Sequence, residues 1–140
     1  MSLLSRKALL AIAAVTDVAL HARGRLVSSR DLAARHDLPA RHLEPVLQAL
    51  VRAGILKGVR GPRGGYELAR ERKRISLEDI LKAAHLLDGE LHALPGTEVM
   101  RQAVIPAIAQ AEKIFAAALT RITIEDLARR IEMQKDAGER

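Results

Sequence analysis

The chain has 140 residues, of which 49% are hydrophobic and 1% aromatic, with no cysteine and a formal net charge of +6. That length fits one domain with an appended helical arm. The lack of cysteine excludes disulfides, thiolate metal sites and cysteine nucleophiles; with Tyr66 and Phe115 the only residues among Phe, Trp and Tyr, the core must be aliphatic, and a reader of single-stranded nucleic acid by aromatic stacking is argued against.

Residues 4–22 read as a first helix, with Leu9, Ile12, Ala13, Thr16, Ala19 and Leu20 on one face and Gly24 just past its end. Arg6-Lys7 ahead of Ala8–Val15 superficially resembles a signal peptide. Asp17 cuts the apolar run short and Leu20-His21-Ala22 is a poor cleavage site, so a cytoplasmic protein is expected. No apolar run is judged long enough to span a bilayer.

Val27-Ser28-Ser29-Arg30-Asp31-Leu32 is a helix start, with Ser28 as N-cap, Asp31 at the third helical position and Val27 with Leu32 as hydrophobic staple. This helix should run to about His36, and Asp37-Leu38-Pro39 should turn the chain. Leu43, Val46, Leu47, Leu50 and Val51 then mark a second helix, over 39–53, stopped by Gly54. Its outward positions are Arg41, His42, Glu44, Pro45, Gln48 and Arg52. Arg and Gln can read base edges and Glu can accept from cytosine; the plain alternative is a solvated polar face.

Two short apolar runs, Ile55–Val59 and Tyr66–Ala69, flank a loop holding Arg60, Pro62, Arg63 and the glycines Gly61, Gly64 and Gly65. This predicts a β-hairpin with a narrow, cationic tip of the kind that reaches into a groove. A nucleotide-phosphate loop would end in Gly-Lys-Ser/Thr before a helix, whereas these glycines run into a strand. The Gly61–Gly64 spacing also occurs in a single-stranded RNA clamp, but that clamp joins helices. A hairpin turn with solvated arginines is the remaining alternative. Two short helices joined by a tight turn and followed by a basic hairpin make a winged helix-turn-helix. The candidate DNA contacts are Ser28, Ser29, Arg41, His42, Glu44, Gln48, Lys57, Arg60, Gly61, Arg63, Gly64 and Gly65. Charge is distributed accordingly: residues 1–74 hold 15 Lys/Arg against 6 Asp/Glu, a balance of +9, and residues 75–140 hold 8 against 11, a balance of −3.

Ile75-Ser76-Leu77-Glu78-Asp79-Ile80 repeats the capping box and staple, for a helix reaching about Leu87, and Asp88–Thr97 reads as a loop. Val104, Ile108, Ala111, Phe115, Ala118 and Ile122 follow at heptad spacing, a candidate dimer seam, with Pro106 bending the helix or marking its effective start. Ile122-Thr123-Ile124-Glu125-Asp126-Leu127 is a third capping box, opening a short last helix with residues 134–140 frayed. The expected organisation is a mainly α fold: a winged helix-turn-helix domain with a two-stranded wing over 1–87, a linker loop over 88–97 and a long C-terminal dimerisation helix in an arm over 98–140. The plain alternative for the seam is packing against the chain's own core.

His21, His36, His42, His85 and His92 are scattered, and no helical His pair with a carboxylate suggests a catalytic zinc site. No nucleophile–base motif is present. Asp88, Glu90 and His92, with His85, could offer a divalent metal oxygen and imidazole ligands, but in no established spacing. Neither metal, cofactor nor enzymatic activity is therefore expected.

The chain resembles the bacterial winged-helix regulators that include IscR, NsrR and CymR. The resemblance runs from Leu4 to about Ile131. Its carriers are Ala8-Leu9…Asp17-Val18-Ala19-Leu20, Leu38-Pro39…Leu43-Glu44…Leu50…Ala53-Gly54-Ile55-Leu56, Val59-Arg60-Gly61-Pro62…Gly64-Gly65-Tyr66, Ile75–Ile80 and Ile122–Leu127. The resemblance implies that the helix-turn-helix enters the major groove, that Arg60 enters the minor groove and that Glu44 reads a base. Two departures stand out. Cluster-holding members carry three cysteines in the loop where Asp88–Thr97 has none, which excludes the usual cluster ligands. Pro45 sits where a second polar reading residue is common, and a proline inside a helix costs about 3 kcal/mol, so the helix is expected to shorten or bend.

The resulting expectation is a cytoplasmic homodimer that represses transcription at a pseudo-palindromic site on double-stranded DNA without a cluster, answering to an unidentified effector or protein partner. Its rivals are a partner-binding winged-helix scaffold, a regulator whose DNA affinity a protein partner sets, and an RNA-binding module.

Overall fold

The computed structural model describes residues 3–21, 25–87 and 94–138. It is mainly helical: α1 Arg6–His21, α2 Ser29–Arg35, α3 Ala40–Arg52, α4 Leu77–Ala83, α5 Ile105–Thr120 and α6 Ile124–Gly138, with the strands β1 Leu56–Val59 and β2 Gly65–Leu68. The strands pair antiparallel with Leu56 opposite Leu68 and Val59 opposite Gly65. Val27 bridges the other edge of β2, exchanging bonds with Tyr66 (3.0 and 2.8 Å) and anchoring the wing to the start of α2.

The three start signals fold as local chemistry directs. Ser28 Oγ accepts from Asp31 N–H at 3.1 Å. The Ser76–Asp79 and Thr123–Asp126 pairs each cap reciprocally. The hydrogen bonds of Thr123 hold the Asp126 carboxyl below its usual pKa. Asp37 in the turn after α2 and His85 just beyond α4 take positive φ, 51° and 56°. At the turn the left-handed residue is thus an aspartate, a type that tolerates the conformation better than most.

One aliphatic core is shared by most elements. Small side chains of α1, among them Ala8, Ala11 and Ala14, let it pack closely against Leu47 and Leu50 of α3, Ile80 and Leu81 of α4 and Ile124 of α6, all fully buried. Leu77 N–H bonds to Ile122 O and Ile124 N–H to Ile75 O, both at 2.9 Å, so the capped starts of α4 and α6 lie side by side. Arg72 adds ion pairs to Glu125 (2.9 Å) and Glu132 (2.8 Å), fastening the hairpin exit to α6. The bond to Glu132 raises the Arg72 pKa against the opposing effect of burial.

Asp17 is the one buried carboxylate among the described residues, at 6% exposure. It meets His21 at 2.8 Å, His36 at 2.9 Å and Arg35 at 3.3 Å, tying α1 to the end of α2.

Several boundaries differ from the sequence reading. The α4 helix stops at Ala83, short of Leu87, and α6 runs to Gly138, so residues 134–138 are helical rather than frayed. Pro45 does not end α3, which runs unbroken through it for 13 residues. Ahead of Pro106 the helix widens into a π turn, Met100–Val104, with Ile105 N–H reaching back to Met100 O. A proline ring crowds the preceding turn, and the wider turn relieves that crowding. Together Met100–Thr120 form 21 continuous helical residues, long and apolar enough by length and composition to cross a bilayer, which corrects the judgement that no such run exists.

Candidate nucleic-acid interface

Two walls face each other across an open cleft of about 900 Å³. The α3 helix presents Gln48 and Arg52 on one side, the hairpin presents Arg60 and Gly61 on the other, and Ser28 and Ser29 close one end. Arg30, Arg52 and Arg60 line it and no carboxylate does, so the cleft offers an anion three guanidiniums. Tyr66 lies in the floor. Burial, and then the charge of Glu44, raise its pKa.

Seven of the proposed DNA contacts line this cleft: Ser28, Ser29, Gln48, Arg60, Gly61, Gly64 and Gly65. Arg41 and His42 lie on a second depression at the start of α3. Glu44, Lys57 and Arg63 are exposed but line neither. Arg30 was missed; its signal was its place two residues after an N-cap, on the outward side of a short helix. Ser28 spends its oxygen on the cap, which leaves its hydroxyl hydrogen for another acceptor.

The glycines divide by role. Gly61 has φ 117° with open space around it, so backbone conformation selects it. A Cβ on Gly64 would run into the Val59 carbonyl, and one on Gly65 would sit 2.7 Å from the Val27 oxygen. These two are small because backbone packs on backbone inside the wing.

Not every cation at the hairpin exit is available. Arg70 donates to Ala53 O and Gly54 O, each at 3.2 Å, capping the end of α3. Arg72 is held by its two glutamates.

The proposed seam residues are mostly bare. Val104 is 42% exposed, Ile108 49% and Ile122 37%, and Ala111 and Ala118 are exposed. Phe115 is half-buried against the chain's own core beside buried Leu119, and Ile122 lies just beyond the end of α5. Asp88, Glu90 and His92 lie outside the described residues. Among the described residues, no three His, Asp or Glu side chains gather to hold a metal ion.

A family model described as "Rrf2: Iron-dependent Transcriptional regulator" matches residues 4–130. The chain belongs to this Rrf2 family. It is 36% identical over 95 residues to the HTH-type transcriptional regulator IscR of Cereibacter sphaeroides, a match covering 66% of this chain and 61% of that one. The matched stretches span between 36% and 61% of the length of the first curated relatives. The solved structure of T. potens IscR superposes with a TM-score of 0.66 at 32% identity, over 95% of this chain and 86% of that one. CymR, the global cysteine regulator of B. subtilis, gives 0.70 at 25% identity, over 93% and 98%. The Rrf2 fold is thus a winged helix with a long C-terminal helix, as the sequence led us to expect. The iron of the family description meets a donor set that does not fit an iron–sulfur cluster: the 140 residues contain no thiolate.

Proposed function

We propose that this Rrf2-family chain is a homodimeric, sequence-specific DNA-binding repressor that works in the cytoplasm without a cluster and without catalysis. The carboxylate-free cleft between α3 and the wing carries this reading. In it α3 lies in the major groove, where exposed Arg41, His42, Glu44 and Gln48 meet base edges, and Arg60 at the wing tip enters the minor groove. Lys57 and Arg63 neutralise phosphates, and Gly61, Gly64 and Gly65 keep the tip thin. Residues 1–87 form the reading unit and residues 98–140 the pairing arm.

The bare apolar side chains of α5 support two-fold pairing, because a second copy of the same helix is the simplest cover for them. A bilayer is the rival cover, since the helix is long enough. Arg101, Glu112 and Lys113 lie within Met100–Thr120 and favour a protein partner over lipid. Selection of bound sequences from random duplex DNA, followed by a heparin-competed gel shift, tests the reading. A two-fold-related consensus is expected; failure to enrich any sequence would overturn it.

A further inference from the structure

The second depression lies between the start of α1 and the start of α3 and encloses about 670 Å³. Leu10, Leu38, Leu43 and Val46 make its floor, with no aromatic ring among them. Arg6, Lys7 and Arg41 stand around it, opposed by a single acid, Asp37. None of these three cations makes an ion pair among the described residues. An aliphatic floor under a cationic rim suits a ligand with the opposite layout: a flexible hydrocarbon body and one anionic head. The volume falls within the range of sites that hold small organic ligands. Water hydrates a free carboxylate well, so the charge gives orientation and selectivity, while burial of the chain gives most of the affinity.

The geometry points to this cleft as an effector site for an aliphatic monocarboxylate. Its position supplies the regulatory consequence. Arg41 belongs both to this rim and to the face of α3 that we assign to DNA, so a carboxylate drawn to Arg41 removes a cation from that face. The ligand would then lower operator affinity without moving any element. This consequence rests on the DNA-reading role of α3; occupancy of the cleft does not.

Two measurements separate those statements. Isothermal titration of the full chain with sodium decanoate should show saturable binding, with 1-decanol and butyrate each weaker by about tenfold or more, since one lacks the charge and the other the chain. An Arg6→Ala/Lys7→Ala double variant should lose about tenfold in decanoate affinity, the scale of a lost charged hydrogen bond, while keeping wild-type melting temperature and wild-type operator affinity in decanoate-free buffer. Leu10→Asn, at a half-exposed position, should lose affinity from the apolar side. Absence of decanoate binding, or equal binding of decanoate and decanol, overturns the site. Weakened operator binding by the double variant in decanoate-free buffer also overturns it, by giving Arg6 and Lys7 to the DNA backbone. Gel shifts with decanoate then test regulation: reduced operator affinity is expected, and unchanged affinity with the cleft filled removes the coupling to Arg41.

Discussion

The body formed by α1–α4 and the wing differs from α5 in how it treats apolar side chains. In the body, Leu32, Leu47, Leu50, Ile55, Leu56, Ile75, Ile80 and Leu81 are fully buried. In α5 only Leu119 is buried, while Ile108 is 49% and Ile114 65% exposed. One region is closed within a single chain and the other is not. Both are apolar, so composition alone does not separate them. What separates them is that the body has faces that converge, whereas α5 packs on α4 and leaves most of its side chains exposed. Substitution should therefore act on folding in the body and on association in the arm.

The largest effect is expected in the body. Leu47→Ala removes a side chain at 0% exposure and should cost about 2–5 kcal/mol of unfolding free energy, read by urea denaturation. A cost no greater than that of Ile108→Ala would erase the distinction between the regions.

The arm is broken by charge at its bare positions. Phe115→Glu is an ambiguous test because Phe115 also packs on the chain's own core. Ile108→Glu and Ile114→Glu lie outside that core and should convert a dimer into a folded monomer at micromolar concentration, read by sedimentation. The loss should be several kcal/mol if the charge becomes buried. A dimer that survives both substitutions moves the interface off α5.

This contrast was only partly legible in the sequence. The capping residues Ser28, Ser76 and Thr123 fixed three helix starts because a cap is chemistry between residues three apart. The α3 core side was equally plain from Leu43, Val46, Leu47 and Leu50, a repeat with one period. Three features were not, because their partners are distant or their geometry is cooperative. Asp17 looked like a break in an apolar run, yet it binds His36 from 19 residues away. The heptad spacing put Phe115 in the seam, but only the packed chain shows that Phe115 also leans on its own core, while the π turn at Met100–Val104 resets the phase of Val104 alone against the rest of that row. Gly65 read as part of a narrow tip and is in fact room for Val27. In the cleft, Gln48, Arg60 and Gly61 could be named from pattern; Arg30 joins them only because α2 points it there.

Within the body, the wing offers a smaller effect on binding. Arg60 is exposed and Arg60→Ala should leave stability within about 0.5 kcal/mol of wild type. Operator binding should weaken by about 1–3 kcal/mol, with relaxed preference where the wing sits. The wild-type protein should show the steep salt dependence of about six to ten neutralised phosphates, and the variant a shallower one, read by fluorescence anisotropy across a salt series. Wild-type affinity in the variant at about 0.15 M salt would remove the wing from the interface.

The smallest effect sharpens the comparison from inside the cationic cluster, by setting Arg70 against Arg60. Arg70 lies at the exit of the hairpin, in the half of the chain with the positive balance, and a phosphate contact there would weaken binding uniformly on its loss. In the structure its guanidinium donates to Ala53 O and Gly54 O at the end of α3 and approaches Asp79 at 3.6 Å. The Asp79 pair is more than a third exposed on both sides, so solvent screens it and it adds little. The two carbonyl bonds place a cation against the negative end of a helix, worth about 0.3–1 kcal/mol. Arg70→Ala should therefore lower stability by about 1 kcal/mol or less, fray the last turn of α3 near Arg52, and leave the salt slope of DNA binding at its wild-type value. Arg70→Lys keeps charge but not the two-pronged geometry, and should recover only part of the stability. Hydrogen exchange at the amides of Ala53 and Gly54 reads the fraying directly, because both amides are bonded within that turn. If Arg70→Ala instead flattens the salt slope as much as Arg60→Ala and leaves exchange unchanged, Arg70 is a phosphate contact after all, and the cationic surface extends past the wing to the start of α4.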